Sequence, residues 1–149
     1  MIFELSSGSF EYGEPIPAVY SCEGKDTSPG LKWSNIPPDT ESFALIMDDP
    51  DAPSGTWVHW VAYDIPGRLA GLDEGKSAGK SGLNSWGNEG YGGPCPPKGH
   101  GPHRYFFKIY ALDTITLDLP SGATVGEVKT AINGHVLAVA EYMGIYERK

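Results

Sequence analysis

Unbroken and alternating apolar runs set the frame of this chain. Phe43 to Met47 is continuously apolar and of strand length. In Trp57 to Tyr63, Trp57, His59, Val61 and Tyr63 share one strand parity, and Val58, Trp60 and Ala62 share the other. Both parities are largely apolar, so this strand is expected to be central and covered on both sides. His103 to Leu112 gives the clearest alternation. His103, Tyr105, Phe107, Ile109 and Ala111 take one face, and Arg104, Phe106, Lys108, Tyr110 and Leu112 take the other. Shorter strands are predicted at 2–5, 18–22 and 31–33. Near the end, Thr124 to Glu127 fits a capping box, and Val128, Ala131 and Ile132 fit one helical face. Val136 to Met143 reads as a second helical piece with Gly144 as its C′ residue, followed by a short strand at 145–147. A mainly β chain of one domain, 1–149, is expected, with a few short helices near its C-terminus.

Composition sharpens that picture. Twenty glycines and thirteen prolines favour turns over long helices. They concentrate between residues 66 and 101, a long loop region that ends in Tyr91-Gly92-Gly93-Pro94-Cys95-Pro96-Pro97. That proline-rich end is expected to form a shaped wall offering backbone amides. The net charge of −8 argues against a nucleic-acid partner and against attraction to anionic membranes. No signal peptide and no apolar run of membrane-spanning length is visible, so a cytoplasmic location is the default. In that compartment Cys22 and Cys95 are expected to be free thiols.

Candidate chemistry gathers at Asp48-Asp49-Pro50-Asp51-Ala52-Pro53, a carboxylate-rich turn stiffened by two prolines and set between two buried strands. His59, His103 and Tyr105 lie on the strands nearby. Two histidines and a carboxylate could ligate a metal, but the spacing fits no short metal motif. Ser54, Ser81 and Ser85 lack a Gly-x-Ser-x-Gly elbow, and Cys95, with His103 eight residues on, is flanked by prolines. Neither Gly-x-Gly-x-x-Gly after a strand nor a Walker lysine is present. Imidazoles, a tyrosine hydroxyl and loop amides are suited to holding an anion, with Asp49 orienting an imidazole.

Asp49-Pro50-Asp51-Ala52-Pro53, Trp57-x-His59 and Gly101-Pro102-His103-Arg104-Tyr105 resemble the two signature regions of the phosphatidylethanolamine-binding proteins, which include the Raf kinase inhibitor proteins. Cys22-Glu23-Gly24, Leu31-Lys32-Trp33, Gly93 to Pro97 and Gly134 to Ala138 resemble the shorter bacterial and archaeal branch. The resemblance implies an antiparallel β-sandwich without catalytic activity, cofactor or metal. It implies a pocket for phosphate, a phosphorylated head group or acetate, built from Asp49, Asp51, Pro53, Trp57, His59, Cys95, Pro97, His103 and Tyr105. Ala52–Pro53 is a candidate cis peptide. Arg104, on the face opposite His103, is expected to pair with a carboxylate such as Asp51. A homodimer is expected, as is absence of the C-terminal lid helix of eukaryotic members. A kinase or protease partner is the wider functional implication. Two other classes stay open: a serine protease inhibitor using the 66–100 loop, and a small-molecule hydrolase or lyase using His59 and His103 as acid and base.

Overall fold

A computed structural model describes residues 1–149. Eight strands form two antiparallel sheets. The smaller runs β1 (Glu4–Ser6), β2 (Leu31–Ser34), β5 (Gly71–Leu72). The larger has the order β6 (Lys80–Ser81), β4 (Trp57–Pro66), β3 (Ser42–Asp49), β7 (His103–Leu112), β8 (Val136–Tyr146). The centre is β3, buried along its whole length, as an unbroken apolar run requires. β4 lies one place out from the centre and is still covered on both faces.

The layer between the sheets buries 21 hydrophobic residues, among them Trp33, Phe43, Met47, Trp60, Phe107 and Tyr142. A second cluster of eight lies on the outer face of the large sheet. There Ala44, Val61, Tyr63 and Leu112 pack beneath Val128 and Ile132 of α1 (Val125–Ile132). Each large side chain buried this way contributes roughly 1.5–3 kcal/mol, so the inter-sheet layer supplies most of the burial free energy. The capping box at α1 forms as its sequence requires. Thr124 Oγ1 accepts from the Glu127 amide at 3.1 Å, and Glu127 Oε1 accepts from the Thr124 amide at 2.9 Å.

Five expectations are corrected. Residues 136–146 are one continuous strand and not a helix. Ala138, Ala140, Tyr142, Gly144 and Tyr146 point inward at a period of two, and β8 pairs with β7 from Val136 to Tyr146. That ladder outweighs the helix propensity of the alanines. Gly144 caps nothing. A Cβ there would lie 2.6 Å from side-chain atoms of Phe10 and Ile16, so glycine is needed for close packing. Residues 13–16 cover the outer edge of β8 at this end, with Gly13 N donating to Met143 O and Ile16 N to Ile145 O, both at 2.7 Å.

The predicted strand at 18–22 is a 3₁₀ turn, Ala18–Tyr20, followed by Ser21, whose hydroxyl donates to Ala18 O and bonds the Tyr146 hydroxyl. Local side-chain bonding of this kind competes with strand pairing. Cys22 and Cys95 are joined as a disulfide with Cα atoms 5.4 Å apart. The fold brings the 21–24 loop against the proline-rich wall, where Cys22 N also donates to Pro94 O. Closing a loop across 73 residues stabilises the folded chain by about 4 kcal/mol in the chain-entropy account. Finally, the Ala52–Pro53 peptide is trans. Gly55, at φ +108°, reverses the chain, with its amide donating to Ala52 O at 3.1 Å.

Strand parity also changes inside β4. Met47 pairs with Trp60, but Asp48 pairs with Val58, so His59 is the extra residue of a β-bulge. Trp57, His59, Val61 and Tyr63 therefore do not share a face. Val61 and Tyr63 turn towards α1, whereas the His59 ring packs with Tyr105 at 5.1 Å on the inter-sheet side.

Candidate functional site

The C-terminal end of β3, the start of β4 and the start of β7 meet at one end of the sandwich, and the 91–97 wall closes the fourth side. They enclose a cavity of about 230 Å³. Asp49, Pro53, Trp57, His59, Cys95, Pro97, His103 and Tyr105 all line it. Asp51 does not. Its carboxylate turns to the surface and accepts from Arg104 N, Nε and Nη2, each at 2.9 Å. The guanidinium holds the Asp51 carboxyl at a pKa of about 2, below the usual 3.8. This is the carboxylate pairing expected of Arg104.

The carboxylate and the two imidazoles of the cavity each have a partner that decides what they can still do. Asp49 is almost fully buried. Its Oδ1 accepts from the Asp51 amide at 2.8 Å, and its Oδ2 lies 2.7 Å from His103 Nδ1. A carboxylate accepts, so His103 donates from Nδ1 and its Nε2 faces the other way. There it meets His100 Nδ1 at 2.7 Å. His59 Nδ1 donates to Gly92 O at 2.7 Å, and Gly92 N donates back to His59 O at 2.8 Å, so this residue and the wall are tied twice. Burial lowers the His59 pKa below its ordinary value.

Two donors are left over. The Tyr105 hydroxyl is completely buried with the Asp49 carboxylate and the Cys95 amide near it, but it closes no hydrogen bond of good geometry to either, and the Trp57 indole N–H is likewise buried without a partner. Buried polar groups without partners cost free energy, and both of these belong to residues that line the cavity. Burial and the charge of Asp49 both push the Tyr105 phenol upward, so it stays protonated and able to donate.

The wall differs from its expected form. Gly92 and Gly93 spend their amides internally, on His59 O and on Asp26 Oδ1. A Cβ at Gly93 would lie 2.1 Å from Tyr20 O, so only glycine fits. Of residues 94–97 only Cys95 has an amide N–H, the others being proline, and it lies by the Tyr105 hydroxyl. Arg148 Nε donates to Pro96 O at 2.7 Å and braces the wall from outside.

Ala52, Ser54, Trp86 and Pro96 also line the cavity. Trp86 stands half exposed at its mouth, with its ring edge-on to Trp57 at 5.6 Å and to His59 at 5.0 Å. One large aromatic in the Gly-Ser-Asn stretch 82–90 was the signal available for it. His100 had none, because a histidine in a Gly-Pro loop looks solvated. A larger, more open groove of about 710 Å³ crosses the small sheet near Lys32, Asp73 and Glu74, but no buried unpaired side-chain group lines it.

A sequence profile of a family described as phosphatidylethanolamine-binding protein matches residues 6–147. A UPF0098 protein of Aquifex aeolicus is 52% identical over 153 residues, spanning 99% of this chain and 90% of its own length. A UPF0098 protein of Methanothermobacter thermautotrophicus is 46% identical, spanning 97% of this chain and 98% of its own. Two solved structures superpose closely. A phosphatidylethanolamine-binding protein homolog of Chlamydia trachomatis, 41% identical, gives a TM-score of 0.94 over 99% of each chain. YbcL of Escherichia coli, described as a new member of the mammalian PEBP family, is 35% identical and gives 0.93 over 100% of each.

Proposed function

Because this chain belongs to the phosphatidylethanolamine-binding protein family, we propose that its cavity binds a small oxyanion, phosphate or a phosphorylated head group, and carries out no chemistry on it. The observation that carries this reading is the pair of buried donors without partners, Tyr105 Oη and Trp57 Nε1, on residues that line a cavity also lined by His59 and His103. An oxyanion offers several lone pairs at once and would satisfy the tyrosine without displacing a bond already made. A cavity of about 230 Å³ suits a tetrahedral anion with a short substituent.

The open alternatives draw less support. Residues 66–100, the stretch a protease inhibitor would insert into a cleft, are bound back to the body of the protein. Gly82 N donates to Val61 O and Ser85 N to Val58 O, both at 2.8 Å. The acid–base alternative pairs His59 with His103, and both His103 nitrogens are already engaged, so the second member of that pair is not free to exchange protons with a substrate.

Calorimetric titration with inorganic phosphate tests the reading. The wild type should bind, and Tyr105→Phe should bind about tenfold or more weakly, the usual effect of removing one hydrogen bond to a charged group. Equal affinity in the two proteins would overturn it.

A further inference from the structure

The Gly92 carbonyl settles which nitrogen of His59 carries the hydrogen. A carbonyl oxygen only accepts, so the hydrogen in the 2.7 Å contact sits on Nδ1. In the neutral ring Nε2 is then a lone-pair acceptor, and it is the one nitrogen of His59 without a protein partner. Several groups face this ring. Asp49 comes from β3, Tyr105 and His103 from β7, and Asp26 and Trp86 from the loops. The two carboxylates favour a cationic ring. Burial opposes them more strongly, and the balance lies towards the neutral form.

The cavity therefore holds a donor and an acceptor side by side. Tyr105 gives a hydrogen, and His59 Nε2 takes one. His103 Nε2 offers no additional donor, because it is already against His100. Resting on the anion-pocket reading, we infer that His59 is a specificity-determining residue and that the site selects oxyanions carrying at least one O–H. The ligand's O–H donates to His59 Nε2, while one of its bare oxygens accepts from Tyr105. A ligand with no O–H sets lone pair against lone pair beside the Asp49 carboxylate.

This divides candidate ligands by proton count and not by shape. Inorganic phosphate keeps an O–H on both sides of neutrality. A phosphomonoester keeps one only below its second pKa, about 6. Sulfate and phosphodiesters, including an intact phospholipid head group, have none at neutral pH. The class favoured is hydrogen phosphate and singly charged phosphomonoesters.

Calorimetry with phosphate, sulfate, methyl phosphate and dimethyl phosphate, in mildly acidic and mildly alkaline buffer, tests the inference. In the alkaline buffer phosphate should bind about 10- to 100-fold more tightly than sulfate. Methyl phosphate should weaken between the acidic and alkaline buffers, and the diester should behave like sulfate. His59→Gln, whose amide can turn an N–H towards the ligand, should close the gap between phosphate and sulfate. If that variant does not fold, the ¹⁵N spectrum of the wild-type ring at saturating phosphate decides. A neutral ring with its hydrogen on Nδ1 supports the proton requirement, and an imidazolium overturns it. Equal affinity for phosphate and sulfate in the alkaline buffer also overturns it while leaving the anion pocket standing. Failure of all four ligands to bind overturns the pocket reading itself.

Discussion

Asp49 and Asp51 stand two residues apart on one turn, and both bond to the first two residues of β7, yet they do opposite work. Asp49 meets His103 with side chains only 4% and 2% exposed. Asp51 meets Arg104 with side chains 30% and 53% exposed, and the guanidinium also lies 5.5 Å from the centre of the Phe106 ring. His103 and Arg104 are adjacent, so strand alternation alone sends one partner into the cavity and the other to water. The turn is thereby stapled to β7 twice, once dry and once wet. The dry staple orients an imidazole beside the cavity. The wet one, fork-shaped and made partly by the backbone, holds the loop. Local acidity in a sequence does not distinguish these roles, whereas the parity of the partner does.

The sharpest way to break this contrast is Asp49→Ala. It strands a buried imidazole and a half-buried amide, and removing one member of a buried pair costs about 3–5 kcal/mol. Urea denaturation should show that loss, and calorimetry should show weaker phosphate binding. Asp51→Ala should cost much less and leave the cavity ligands in place, since exposed pairs contribute little. Equal losses from the two substitutions would erase the distinction.

Acid titration separates the pair from His59. The Asp51 carboxyl is depressed in the folded state, so its contribution is complete above about pH 3.8 and is lost as pH falls through about 2. His59 is also depressed, but as a base. The unfolded chain takes up the proton first, so stability should begin to decline as pH drops below about 6.5. Denaturant midpoints against pH should therefore lose their near-neutral slope in His59→Gln and their strongly acidic component in Asp51→Asn. The smallest stability effect is expected of Tyr105→Phe. Its hydroxyl has no partner, so the change should lie within about 1 kcal/mol of zero in either direction. A loss of several kcal/mol would mean that the hydroxyl is bonded in the free protein.

Much of the fold was legible in the residues. Alternation located β7 from His103 to Leu112, the apolar run marked β3, and Thr124 with Glu127 marked the start of α1. The rest depended on contacts remote in sequence. The alanines of 136–146 suit a helix until β7 offers a full ladder. Cys22 and Cys95 are separated by 73 positions, and only the packed loops bring them together. Within the site, alternation along β7 put His103 and Tyr105 on one face, while His59 reached the same cavity by a bulge that strict alternation cannot show. Trp86 and His100 enter from loops, where no periodicity reports direction.

That bulge has a consequence for folding fidelity. Between Met47 and Asp48 the partner strand spends one residue more than β3 does. A chain that closed this gap by slipping one position would straighten the ladder there but misplace one side chain or the other. If residues 57–59 slipped, Trp60 would stay inward and Val58 would replace His59 at the cavity. If the residues from Trp60 onward slipped, His59 would stay and Trp60, now 1% exposed, would turn out of the inter-sheet layer. Only the bulge keeps the indole in the core and the imidazole at the cavity together. Insertions or deletions between 57 and 61 should thus be poorly tolerated, because length there encodes which side chain the cavity receives.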